Sequence, residues 1–179
     1  MTWIQTYTGV AFDLRKVTAA NIVKEDIAHS LGMQCRYTGH VKFFYSVAEH
    51  CCLVHDWLLE QHDSPKLALA GLLHDAGEAY TGDMSSPLKH IGCGSEVWDN
   101  LVRDIDRTIE WKFRLTGSIK LHDRRVTEAD RRILHDEKAE LLGPPPRDWG
   151  LKLWAPLGVK LHGWDPAQAK AEYLERLLR

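Results

Sequence analysis

Six titratable residues, His50, His74, Asp75, Glu78, Asp83 and Asp130, stand at or beside positions where the surrounding pattern asks for apolar side chains. In "LALAGLLHDAGEAYTGDMSSPLKH", residues 67–90, an apolar helical run ends abruptly in His74, Asp75, Glu78 and Asp83. Asp130 lies on the stripe of Val126, Ile133 and Leu134, and His50 borders the stripe of Val47, Val54 and Leu58. Moving an ionised carboxylate into a low-dielectric interior is prohibitive unless it is paired, protonated or bound to a metal. Singly, each residue has an ordinary explanation: an imidazole bonded to a backbone carbonyl, or an Asp paired with one of the arginines at 124, 125, 131 and 132. Together they form a ligand set.

His74 and Asp75 lie about 100° apart on a helix, so both reach one point only if it sits beside the helix near its end. A divalent cation would take His50, His74, Asp75 and Asp130 from three separate helices. Imidazole with carboxylate suits Zn, Mn, Fe, Co or Ni, with Mg also open, and leaves room for water or a substrate oxygen. Such an ion polarises a phosphoryl oxygen and lowers the pKa of water toward about 7, and hydrolysis then needs a base close by. Glu78 shares the face of His74 and is placed to take that proton. Asp83, after the turn "TGD", can orient the water or protonate the leaving oxygen, and can equally make an Asx-turn or helix cap in "TGDMSSP". Phosphate also needs cations. Arg36 in "CRYTGH" and Lys89 in "SSPLKH" are expected in loops flanking the metal-bearing helices, where a guanidinium can grip phosphate in bidentate fashion. Glu137 lies on the stripe of Asp130 and is read as a supporting or ion-pairing residue. His29, His55, His62, His122, His135 and His162 show no spacing that compels a second metal.

These residues need helices to hold them. Ser46 caps "VAEHCCLVHDWLLEQH", and Ser64 with Pro65 opens the helix that leads to His74. Ser95 is the cap for a long helix in which Val97, Leu101, Ile105, Ile109 and Phe113 recur four apart. A further helix covers "VTEADRRILHDEKAELL". Asp165 and Pro166 start the last, with Tyr173, Leu174, Leu177 and Leu178 on its buried side. Breakers mark "GMQCRYTGH", "TGDMSSP", "IGCG" and "GPPPRDWG" as connections. The first twelve residues can form a short hairpin around Thr8 and Gly9.

At 179 residues the chain is of single-domain size, and residues 1–179 are read as one domain able to bury a core without disulfides. A formal net charge of -2 supplies no broad basic field for duplex nucleic acid. The N-terminal "MTWIQTYTGVAFDL" lacks a signal-peptide pattern, and no apolar run reaches the roughly 18 residues of a membrane span, so a cytoplasmic protein is expected. Cys35, Cys51, Cys52 and Cys93 show no C-x-x-C spacing and are read as small buried hydrophobes.

The order H...HD...D, set in "CRYTGHVKFFYSVAEH", "GLLHDAGEAYTGDMSSPLK" and "EADRRIL", resembles the HD-domain metal-dependent phosphohydrolases. Within them it is most similar to the bacterial 5'-deoxynucleotidase branch and its phage-encoded relatives, some of which hydrolyse deoxynucleoside triphosphates, dATP among them. The resemblance implies an all-α, HD-domain helical fold with a metal site between helices, and catalytic roles for Glu78 and Asp83. It further implies hydrolysis of 2'-deoxynucleotides, as mono- or triphosphates, by a homo-oligomer. In the deoxynucleotidases the residue after the corresponding arginine helps to reject a 2'-hydroxyl. The bacterial enzymes carry tryptophan there, where this chain has Tyr37, which the resemblance makes the candidate to pack against a sugar or base. Alarmone hydrolases resemble HD-x-x-E-D, whereas Glu78 is followed here by Ala79. The extra histidine ligands of cyclic-nucleotide phosphodiesterases and di-iron oxygenases of the superfamily are not evident. Two alternatives stand beside the deoxynucleotidase reading: another nucleotide phosphodiesterase of the superfamily, and a non-catalytic nucleotide-binding module, which would have no need of a general base.

Overall fold

The computed structural model describes residues 2–91, 96–115, 117, 119–151 and 154–179. Two short strands, β1 (Trp3–Gln5) and β2 (Ala11–Asp13), pair antiparallel with Ile4 opposite Phe12. Gly9 makes their reversal at a φ of 86°, which a side chain would strain. The rest is helical: α1 (Lys24–Met33), a 3-10 turn (Arg36–Gly39), α2 (Val47–His62), α3 (Pro65–Leu73), α4 (Glu78–Thr81), α5 (Ser86–Ile91), α6 (Glu96–Lys112), α7 (Arg124–Leu141) and α8 (Pro166–Leu178). The fold is all-α with an N-terminal hairpin, as expected.

Capping chemistry sets the helix starts. Ser46 accepts from the Glu49 N–H, Ser64 from that of Leu67, and Asp165 from those of Ala167 and Gln168. Asp63, left-handed at a φ of 45°, ends α2 and folds the chain back into α3. Gly71 lets these two helices close up, because a Cβ there would stand 2.5 Å from Leu58 Cδ1 and 3.2 Å from Val54 Cγ1. A side chain there would force Leu58 to shift, so the bare glycine keeps the seam tight, with His50 on α2 against the end of α3.

The centre of the core is α2, packed against α1, α3, α7 and α8. The closing helix α8 also lies on α1 and α3, and Tyr173 donates its hydroxyl proton to the Leu72 carbonyl at 2.8 Å. Glu49, fully buried beside His50, accepts the N–H groups of His162, Gly163 and Trp164 at 2.6, 3.0 and 2.8 Å. The C-terminal stretch thus does more than close the fold, since it is tied directly to the helix that bears a candidate ligand.

Four sequence expectations differ from what is seen. Helix α1, which starts after Val23 without a side-chain cap, is not among the helices expected from the sequence. Lys89 lies on α5 rather than in a loop: Pro87 sits in the first turn of that helix, where its missing N–H costs nothing. Of the long α6 stripe, Ile105 and Ile109 are fully buried while Val97 is 79% exposed. A four-residue spacing advances about 40° per step, so only the middle of the stripe faces the core. Leu178 is exposed for a similar reason, being one step round from the buried row of Ala169, Tyr173 and Leu177. Ser95 and Cys93 lie outside the described residues. Cys51 and Cys52 are buried as expected, and Cys35 is half-buried. Among the described residues, no helix is long and apolar enough to cross a membrane.

Candidate metal centre and adjoining cavity

Beyond Leu73 the backbone tightens into three-residue turns, with Ala76 N–H on the Leu73 carbonyl, Glu78 N–H on that of Asp75 and Tyr80 N–H on that of Gly77. His74 and Asp75 leave the end of α3 on this tightened backbone, facing His50 of α2 and Asp130 of α7. His50 Nε2 lies 3.3 Å from His74 Nε2, 3.2 Å from Asp130 Oδ1 and 3.8 Å from Asp75 Oδ2. His74 Nε2 lies 3.3 Å from Asp75 Oδ2 and 3.7 Å from Asp130 Oδ1. With metal bonds of about 2.1 Å, donor atoms stand about 3.0 Å apart in an octahedral cis pair and about 3.4 Å apart in a tetrahedron. The observed spacings match, so His50, His74 and Asp130, with Asp75 beside them, could hold one metal ion.

Each imidazole is oriented by the bond at its other nitrogen. His74 Nδ1 is 2.7 Å from the Gly71 carbonyl, and His50 Nδ1 is 2.7 Å from Glu137 Oε1, which turns both Nε2 atoms inward. Glu137, fully buried, also accepts from Tyr45 at 2.9 Å and from the Tyr37 hydroxyl, and is paired with Arg36 at 3.4 Å. Arg36 reaches Asp75 as well, at 3.4 Å. Tyr37 and Thr38 hold φ values of 56° and 55°, left-handed conformations that cost about 1–3 kcal/mol each. The hydroxyl bond to Glu137 helps to keep Tyr37 there.

Burial opposes charge on all four candidate ligands, but their mutual attraction wins. His74 and His50 hold the carboxyls of Asp75 and Asp130 well below the usual carboxylate range. The carboxylates in turn hold both imidazoles above their ordinary value, Asp75 acting on His74 and Glu137 with Asp130 on His50. Protons and a divalent cation therefore compete for the same groups, and cation binding releases protons. A second set of donors, Cys51, His74 and Asp75, also lies within 4.8 Å of one another. Burial pushes the Cys51 thiol up to about 11, which keeps it protonated near neutrality and favours the imidazole and carboxylate set.

No protein-family model matches the sequence. Over 141 residues it is 33% identical to the uncharacterized protein YfdR of Escherichia coli (strain K12), a match covering 79% of this chain and 73% of YfdR. The chain belongs to the YfdR family. A second similarity, to the uncharacterized protein RCAP_rcc00048 of Rhodobacter capsulatus, is 38% identical over 91 residues, 49% of this chain and 46% of that protein.

In this YfdR-family chain a cavity of about 550 Å³ opens beside the candidate ligands, with His74, Asp75 and Glu78 on one wall and α6 on the other. Glu78 Oε1 is 3.1 Å from Lys89 Nζ, while Oε2 is buried without a hydrogen-bond partner among the described residues. Burial and the charge of Asp75 push the Glu78 carboxyl up to about 8, with Asp83 adding to the rise against the pull of Lys89 and Arg36. Asp83 is positioned through its backbone, whose N–H donates to Gln34 Oε1 at 2.7 Å, and its side chain does not line the cavity. Arg36 and Tyr37 are not among the residues that line it, Arg36 being paired with Asp75 and Glu137 and Tyr37 bonded to Glu137. Lys89 does. Sequence reasoning missed the second donor set containing Cys51, the convergence of Tyr45 on Glu137, and the contribution of α6. A helical wheel sees one helix, and these contacts join several.

Proposed function

We propose that this chain is a metal-dependent phosphohydrolase of the HD-domain type acting on 2'-deoxynucleotides, with monophosphates and triphosphates as the candidate substrates. One observation carries the reading: two imidazoles and two carboxylates converge from three parts of the fold, next to a buried carboxylate with an uncommitted oxygen at a cavity. The order of His50, His74-Asp75 and Asp130 along the chain, with its resemblance to the HD-domain enzymes, supports the same conclusion. A divalent ion held there would supply Lewis acidity toward a phosphoryl oxygen and a lowered pKa for water.

The chain's own residues divide the remaining work. Glu78 Oε2 accepts the proton of the attacking water, and a carboxyl raised above its ordinary value is a stronger base than an exposed one. Lys89 holds the other oxygen of Glu78 and brings positive charge to the cavity where phosphate would lie. Arg36 steadies Asp75 and Glu137 in this arrangement, and Tyr37 steadies Glu137. Asp83 adds negative charge near Glu78, which raises the affinity of that carboxylate for a proton.

Product analysis on the purified chain with each dNMP and dNTP, using Mn, Co, Zn, Mg, Ni and Fe in turn, tests the reading. Metal-dependent release of phosphate or polyphosphate is expected. Nucleotide binding without turnover under any metal would replace the enzyme with a binding module.

A further inference from the structure

We propose that α6 and the adjoining segment 119–122 form an anion grip for the substrate's phosphate, with His122, held by Asp106, and Lys120 as its donors. The proposal rests on the phosphohydrolase reading above and names the residues that would recognise the substrate at that site.

The cavity needs cations beyond Lys89, whose charge is shared with Glu78. Arg36 is bound to Asp75 and Glu137, and Lys89 to Glu78. Lys120 and Arg107 line the cavity and have no ion-pair partner among the described residues. His122 lines it too, its Nε2 3.0 Å from Asp106 Oδ2 and its Nδ1 without a hydrogen bond among the described residues. Asp106 beside it favours the charged imidazole, which can donate from Nδ1.

This wall is built rather than draped. Leu121, between the two donors, is fully buried, and its N–H donates to Glu110 Oε1 of α6 at 3.1 Å. Anchoring Leu121 displays Lys120 and His122 on either side of a fixed point. Asp106 is itself largely buried, with its second oxygen pressed toward the turn that follows Asp75: a Cβ on Gly77 would meet Oδ1 at 3.1 Å. A bare glycine at that turn lets the His122–Asp106 pair approach the wall that carries His74, Asp75 and Glu78. A phosphate in the cavity would then lie between the metal ligands and a second set of donors, which is how a tetrahedral anion is held from two sides.

The test uses the full chain loaded with its preferred metal, and inorganic phosphate as the probe, titrated by calorimetry alongside kcat and KM for the best nucleotide. His122→Ala and Lys120→Ala are each expected to weaken phosphate binding about tenfold, with metal content and thermal midpoint unchanged. Asp106→Asn should weaken it too, and should add nothing in the His122→Ala background, because it acts through that imidazole. If the His122→Ala/Lys120→Ala double variant hydrolyses nucleotides and binds phosphate within about twofold of the parent, the grip is refuted while the phosphohydrolase reading stands. If the unaltered metal-loaded chain neither binds phosphate nor hydrolyses any nucleotide, both fall.

Discussion

His50 Nδ1 and Glu137 Oε1 are 2.7 Å apart, with both side chains fully buried and the two residues 87 positions apart in the chain. This bond joins α2 to α7, the helix of one candidate ligand to the helix of another. It fixes the His50 ring so that Nε2 faces His74 and Asp130. Glu137 can do this because Arg36, Tyr37 and Tyr45 share its charge and satisfy its oxygens.

Glu137→Gln should therefore lower metal affinity by about 10- to 100-fold while leaving all four ligands in place. Competition against a metal-binding dye measures it. Glu137→Ala should also leave Arg36 buried without its main partner and destabilise the fold by about 3–5 kcal/mol, read from urea unfolding.

Asp75→Asn replaces a charged donor with a neutral one at the junction of His74, His50 and Arg36. Metal content by mass spectrometry should fall to a small fraction of the parent's, together with nearly all hydrolysis. Full retention of both would remove Asp75 from the ligand set.

Glu78→Ala should keep the metal and slow hydrolysis by about 10² to 10⁴. Single-turnover measurement isolates the chemical step, and an unchanged rate there would take the proton-accepting role away from Glu78.

Glu49→Ala removes the acceptor for three backbone N–H groups from His162 to Trp164. A loss of about 3 kcal/mol or more is expected, with faster proteolytic cleavage around 161–164. Both should be milder in Glu49→Gln, which keeps one acceptor oxygen.

Acid stability should depend on Asp56. Burial pushes its carboxyl up, but hydrogen bonds from His55 and Arg176 outweigh that and hold it at about 2, against an ordinary 3.8. A carboxyl depressed on folding stabilises above the unfolded value, and that stabilisation is lost as pH falls through the folded one. Between about pH 4 and pH 2 the parent should lose more stability than Asp56→Asn. Equal slopes in urea titrations across that window would count against the Asp56–Arg176 pair.

What the sequence determined by itself was local. Ser46, Ser64-Pro65 and Asp165-Pro166 announce helix starts because capping depends on residues within one turn, and the structure has helices beginning at those points. His50, His74, Asp75 and Asp130 stood out because each sits on or beside an apolar stripe, where charge needs a partner. Tertiary structure alone decided which partner each residue takes. Arg36, expected at substrate phosphate, meets Asp75 and Glu137 across separations of 39 and 101 residues. Lys89 is carried on α5, Val97 turns out of the core, and His122 meets Asp106 at the cavity. The C-terminal stretch fastens to Glu49 from 113 to 115 residues away. A long-range contact has no local signature: it depends on which helix faces close together, and Gly71 and Gly77 permit two such approaches simply by lacking a side chain.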